Sequence, residues 1–185
     1  KLRASTTLKE MYIVRYADDF KIFCRNRNEA ERTFKAVKLW LKERLNLPVS
    51  EEKSQITNLR KKSSEFLGIT LKLVSKNNRF VCFSHIAPKA KKRIKHQLKQ
   101  QIKLIQIKGV KETIIREIQK YNSMVIGIHN YYSMATHVSK DLEEIHYQLY
   151  LSFKNRLQAK GLTKIGEYKG KDKGVLPYLQ SQNIR

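Results

Sequence analysis

The feature that most constrains this chain is a change of period at Pro88. Before it, short runs rich in β-branched and aromatic residues alternate with turn signals. After it, apolar residues recur every three or four positions and no strand pattern returns. Met11 to Tyr16 and Phe20 to Cys24 read as two strands joined by a tight turn at Ala17-Asp18-Asp19. Ala30, Phe34, Val37, Leu41 and Leu45 share one helical face, and Asn46-Leu47-Pro48 stops that helix. Ser54 to Leu59 reads as a further strand. Glu65 to Val74 and Arg79 to Phe83 read as a hairpin around Ser75-Lys76-Asn77-Asn78. Beyond Pro88, three amphipathic helices carry Ile94-Leu98-Ile102-Ile105, then Ile114-Ile118-Tyr121-Val125-Ile128, then Leu142-Ile145-Leu149-Phe153-Leu157. Helices this short must pack on one another or on the sheet. The expected class is therefore α+β, an antiparallel sheet with helix followed by an all-α three-helix region.

Charge narrows the partners. Lys and Arg number 39 against 16 Asp and Glu, a formal net charge of +23. A compact body so charged repels itself, and a polyanion relieves the repulsion, which favours nucleic acid over an anionic membrane. From Lys89 to Lys111 there are nine basic residues and no acidic one. Lys89, Lys91, Lys92, Lys95, Lys99 and Lys103 suit the phosphates of an RNA or an RNA–DNA duplex, whose A-form is read by shape and backbone. The alternative is a solvated helix face. Of Tyr131 and Tyr132, helical spacing assigns one to the core, while an exposed one suits stacking on a base. Cys24 and Cys82 lie far apart in apolar stretches and read as reduced core residues, and the five histidines show no zinc spacing. No apolar run approaches the roughly 20 residues of a membrane span, and no membrane partner is expected.

The sharpest chemical signal is Tyr16-Ala17-Asp18-Asp19. Two adjacent carboxylates on a turn repel unless cations neutralise them, and hard oxygen donors suit Mg²⁺, with Mn²⁺ as an alternative. Two-metal phosphoryl transfer needs such a cluster. Asp-Asp also simply makes a good turn, but the strands on both sides favour the metal reading.

Here the sequence resembles a family. Arg15-Tyr16-Ala17-Asp18-Asp19-Phe20 is similar to the signature of bacterial and organellar reverse transcriptases, most of all those encoded by group II introns. Leu47 to Ile56, with Ser50-Glu51-Glu52-Lys53, looks like the next motif of the polymerase palm. Glu65-Phe66-Leu67-Gly68-Ile69 looks like the hairpin that grips the primer end. Asn122 to Tyr132 is similar to the maturase thumb, often called domain X. These boxes keep the family's order over about residues 10–160.

The resemblance implies an RNA-directed DNA polymerase of the group II intron maturase type: residues 1–87 part of the palm, 88–165 the thumb, 166–185 a polar basic tail. Asp18 would be the principal metal ligand and Asp19 a weaker one. Tyr16 would lie near the primer–template duplex, and Ala17 would let nucleic acid approach the turn. Lys53 would protonate the departing pyrophosphate, although without the resemblance it is one more solvated lysine. Phe66, Leu67 and Gly68 would form the primer grip, though Phe66 and Leu67 fit a plain core equally. Implied partners are intron RNA, an RNA–DNA duplex and deoxynucleoside triphosphates, in a bacterial cytoplasm or an organelle. The family takes another aspartate from an upstream palm strand and basic residues from the fingers, and Lys1 to Glu10 contains no aspartate. The chain is thus expected to begin within a larger domain, to need a fingers and palm segment from the same or another chain, and to be inactive alone. A non-catalytic RNA-binding splicing maturase is the rival, and the intact carboxylate pair counts against it.

Overall fold

The computed structural model describes residues 11–106, 111–157, 165–167 and 176–179. They form antiparallel sheets and four helices, an α+β chain. It divides into two compact units, Lys1–Asn58 and Leu59–Arg185.

In the first unit, strands β1 (Tyr12–Tyr16) and β2 (Asp19–Phe23) pair antiparallel from Tyr12↔Phe23 to Tyr16↔Asp19. A two-residue loop of Ala17 and Asp18 joins them. Helix α1 (Arg27–Leu45) follows. The Asn26 side chain caps it by accepting the Glu29 N–H at 2.8 Å, and Glu29 accepts the Arg25 N–H in return at 3.3 Å. Asn46 ends it in a left-handed conformation (φ 50°), with the Leu47 N–H on the Leu41 carbonyl at 3.0 Å. The stop expected at Asn46-Leu47-Pro48 is there. The apolar stripe Ala30-Phe34-Val37-Leu41 is only half-buried, and no residue of α1 is fully buried.

The strand expected over Ser54–Leu59 is not formed. The Ser54 N–H instead bonds to the Ser50 carbonyl at 3.0 Å, and Ile56 is exposed. The Leu59 carbonyl accepts the Leu73 N–H at 2.9 Å, but residues 54–59 carry no strand pairing among the described residues.

In the second unit, β3 (Ser64–Phe66), β4 (Ile69–Lys76) and β5 (Arg79–Ile86) form one sheet in that order. The first half is thus two separate sheets among the described residues, not one. The run from Glu65 to Val74 breaks at Leu67 (φ 52°) and Gly68 (φ 73°), and a second turn at Asn77 (φ 50°) and Asn78 (φ 58°) joins β4 to β5. Positive φ at both central residues matches the twist of the flanking strands, and Asn tolerates it well. Cys82, expected in the core, is exposed on β5.

Helices α2 (Pro88–Gln106), α3 (Lys111–Tyr132) and α4 (Val138–Leu157) carry the core. Ile94, Leu98, Ile102 and Ile105 of α2 meet Ile118, Tyr121 and Val125 of α3 and Leu142, Ile145 and Leu149 of α4, all nearly free of solvent. Each such burial stabilises by roughly 1.5–3 kcal/mol. Phe153 and Leu157, expected on the third stripe, lie outside the described side chains. Short strands do return after Pro88: β6 (Ile165–Glu167) pairs with β7 (Pro177–Leu179), β7 packs on α3 and α4, and Leu176 is buried. Three-residue strands are too short to show a period.

Candidate active site and nucleic-acid interface

The carboxylate pair lies at the tip of β1–β2. Asp18 is the second loop residue, Asp19 opens β2, and both are exposed. Ala17 takes a positive φ of 52°, which costs an alanine about 1 kcal/mol. The Arg15 guanidinium donates to the Ala17 carbonyl at 2.7 Å and holds this turn from one side. Sequence reasoning did not single Arg15 out, although a basic residue three positions before a carboxylate pair is a visible signal. Tyr16 is exposed and faces Asp19 across the ladder.

Two adjacent exposed carboxylates offer hard oxygen donors, which fits a divalent cation such as Mg²⁺. Among the described residues, no group of three or more His, Cys, Asp or Glu side chains gathers as a metal site. Lys53 sits in the exposed turn after Ser50, in the same unit, and no hydrogen bond or ion pair among the described residues joins it to Asp18 or Asp19. Next to it, Lys38 bonds to Glu51 and holds that carboxyl below its ordinary value.

The second unit carries the turn and the lysines. Leu67 and Gly68 are fixed at two points. The Tyr131 hydroxyl donates to the Leu67 carbonyl at 3.1 Å, and the Ala87 N–H to the Gly68 carbonyl at 2.8 Å. A side chain at Gly68 would meet the Tyr132 hydroxyl at 3.2 Å. Tyr132 is buried and Tyr131 exposed, the division that helical spacing predicts. Phe66 and Leu67 are half-buried.

On α2, Lys89, Lys92 and Lys103 are exposed, while Lys95 and Lys99 are half-exposed on the face adjacent to Ile94, Leu98 and Ile102. Lys91 differs. Its ammonium donates to Glu144 at 2.7 Å and to Asp141 at 3.3 Å. Partial burial disfavours that charge, but the hydrogen bonds and charges of Glu144 and Asp141 outweigh it and raise the Lys91 pKa. Asp141 is itself buried and also accepts the Ile86 N–H at 2.7 Å, with His85 Nδ1 at 3.3 Å. Asp141 thereby ties β5, α2 and α4 together, and no spacing in the sequence marks it. No described helix is long and apolar enough to cross a membrane.

Residues 1–71 match the model of the family described as reverse transcriptase (RNA-dependent DNA polymerase). The match takes in the Asp18-Asp19 turn, α1, Lys53 and the Leu67-Gly68 turn, so this part of the chain is similar to a nucleic-acid polymerase. No curated protein matches the chain.

Proposed function

We propose that this chain is part of an RNA-directed DNA polymerase of the group II intron maturase type, joining a nucleotide to a DNA 3′ end on an RNA template. The observation that carries the reading is the Tyr16-Ala17-Asp18-Asp19 turn, with both carboxylates exposed, inside the stretch that matches reverse transcriptases. Asp18 and Asp19 would hold Mg²⁺, or Mn²⁺ in its place. Bound there, the metal supplies a Lewis acid for the attacking hydroxyl and the leaving oxygen. The role of Asp18 and Asp19 is to fix that position on a turn whose backbone Arg15 holds. Lys53 would give a proton to the departing pyrophosphate. Leu67 and Gly68 would approach the primer end, and Lys89, Lys92, Lys95, Lys99 and Lys103 the duplex or intron RNA. Residues 1–87 would act as palm and 88–165 as thumb. The family this chain resembles takes a further aspartate from an upstream palm strand, and further polypeptide would supply that third carboxylate of a two-metal site.

Primer extension on an RNA template tests this. The 185-residue chain should extend only when polypeptide carrying that carboxylate is added. In the completed reaction Asp18→Ala should abolish synthesis and leave RNA affinity unchanged, because the loss is of metal position rather than docking. Robust extension by the chain alone, or near-normal extension by Asp18→Ala, would overturn the reading.

A further inference from the structure

Lys91 fixes how α2 and α4 meet. Its bonds to Asp141 and Glu144, with the bond of the Ile86 N–H to Asp141, bring the starts of both helices together. From there the two run in the same direction over one core, from Ile94 and Leu142 to Ile102 and Leu149. The opposite flank of α2 faces α3, where Gln101 bonds to Glu117. Residues three, four, seven and eight positions on share a helical stripe. Lys95 and Lys99 therefore follow Lys91 along the α4 side of α2, and Tyr147, Gln148 and Leu151 follow Glu144 along the α2 side of α4. Lys95 and Lys99 are half-exposed, and neither makes an ion pair among the described residues.

The α4 side of this seam is apolar where it meets water. Tyr147 is 71% exposed, and Tyr150 and Leu151, one turn on, are 44% and 51% exposed. Side chains so spaced are neighbours on a helix surface, so the three form one patch. His146 stacks on Tyr150, with ring centroids 6.2 Å apart and planes at 17°, and steadies its far side. An aromatic patch left to water beside cations without partners is complementary to a ligand that joins anionic groups to flat apolar ones. A nucleic-acid strand does so, because it alternates phosphates with planar bases. In a duplex the base faces are covered by their neighbours, so a tyrosine platform selects a base that is unpaired.

We propose that the seam between α2 and α4 is a binding site for an unpaired nucleotide beside an RNA duplex. Lys95 and Lys99 contact phosphates, and the ring of Tyr147, backed by Leu151, stacks on the base. The proposal rests on the reading of α2 as an RNA-contacting face and adds to it the class of RNA, a duplex that carries unpaired bases.

The test uses the full chain and two labelled RNAs, each a duplex of about 20 base pairs with a single-stranded extension of about five nucleotides. In one the extension is adenosine. In the other it is abasic, with the same phosphates and no bases. Affinity is measured between roughly 50 and 300 mM KCl, where released counterions set the slope of log affinity against log salt. The parent should bind the adenosine RNA about tenfold more tightly than the abasic one. Tyr147→Leu keeps an apolar helix former but no ring, and should abolish that preference without altering the slope, since stacking releases no counterions. Tyr147→Phe keeps the ring and should retain the preference. Changing Lys95 and Lys99 together to Gln should flatten the slope by about 2 units on both RNAs, at roughly 0.9 per phosphate, and leave the preference in place. Circular dichroism melting identifies folded variants, and Tyr147→Gln stands in if Tyr147→Leu fails to fold. Equal affinity of the parent for the two RNAs, or an unchanged preference in the folded ringless variant, overturns the proposal and leaves the α2 reading standing. A parent slope in the folded lysine variant overturns both.

Discussion

Lys91 and Lys92 are neighbours in one run of lysines, and the structure gives them different work. Lys91 reaches Asp141 and Glu144, whereas Lys92 points to solvent. Replacing Lys91 with Gln keeps helix propensity and removes the charge. Asp141 would then sit with 6% of its side chain exposed and without its ammonium. Stripping a fully buried carboxylate of its partner costs about 3–5 kcal/mol. Here the Ile86 N–H and His85 remain beside Asp141, and Lys91 itself is 24% exposed, so solvent screens part of the loss. A charge-assisted hydrogen bond is worth about 1.5–3 kcal/mol, and the largely exposed Glu144 adds little. The expected loss is about 2 kcal/mol, read from urea unfolding followed by circular dichroism. Lys92→Gln should stay within about 0.5 kcal/mol of the parent. The pH dependence has a definite sign. The folded pKa of Lys91 is raised, so its contribution is complete below the unfolded value of about 10.4 and is lost as pH rises through the folded value. The gap between the parent and Lys91→Gln should therefore be level from neutral pH to about 10 and close above that. Equal stability of the two glutamine variants at neutral pH would refute the reasoning.

Two other outcomes follow from the same unit. Changing Lys92, Lys95 and Lys99 together to Gln should flatten the salt dependence of duplex RNA binding by about 2 to 3 units, and a folded variant with the parent slope would make α2 only a solvated face. Gly68→Ala places a side chain at φ +73° and 3.2 Å from the Tyr132 hydroxyl, so urea unfolding should show a loss of about 1–2 kcal/mol, and an unchanged midpoint would mean the turn relaxes freely.

Local signals were legible where the physics is local. The two periods either side of Pro88 placed α1, α2, α3 and α4, because a helix that buries one face must repeat its apolar residues at helical spacing. Asn46 and Asn77-Asn78 marked turns because few residues tolerate positive φ. Ser54–Leu59 misled because β-prone residues form a strand only where a neighbour offers a ladder, and here the Ser54 N–H turns to the Ser50 carbonyl instead. Leu67 misled differently. A leucine at positive φ breaks the rule for turns, and what offsets the strain comes from Tyr131 and Ala87, distant in sequence.

The candidate sites divide along the same line. The Asp18-Asp19 pair could be read from four consecutive residues, because its chemistry depends on two charges being adjacent. The lysine run could be read as a field, since sign and density survive any rotation of the helix. Which lysine is already spoken for could not be read. Lys91 lies 50 residues from Asp141 along the chain and its partners are set by how α2 and α4 cross. The place of Tyr147 beside Lys95 and Lys99 was hidden for the same reason, because it follows from how Lys91 meets Glu144. A count of basic residues therefore bounds how strongly this chain attracts phosphate. Only the packing separates the cations that hold the protein together from those left to hold a ligand.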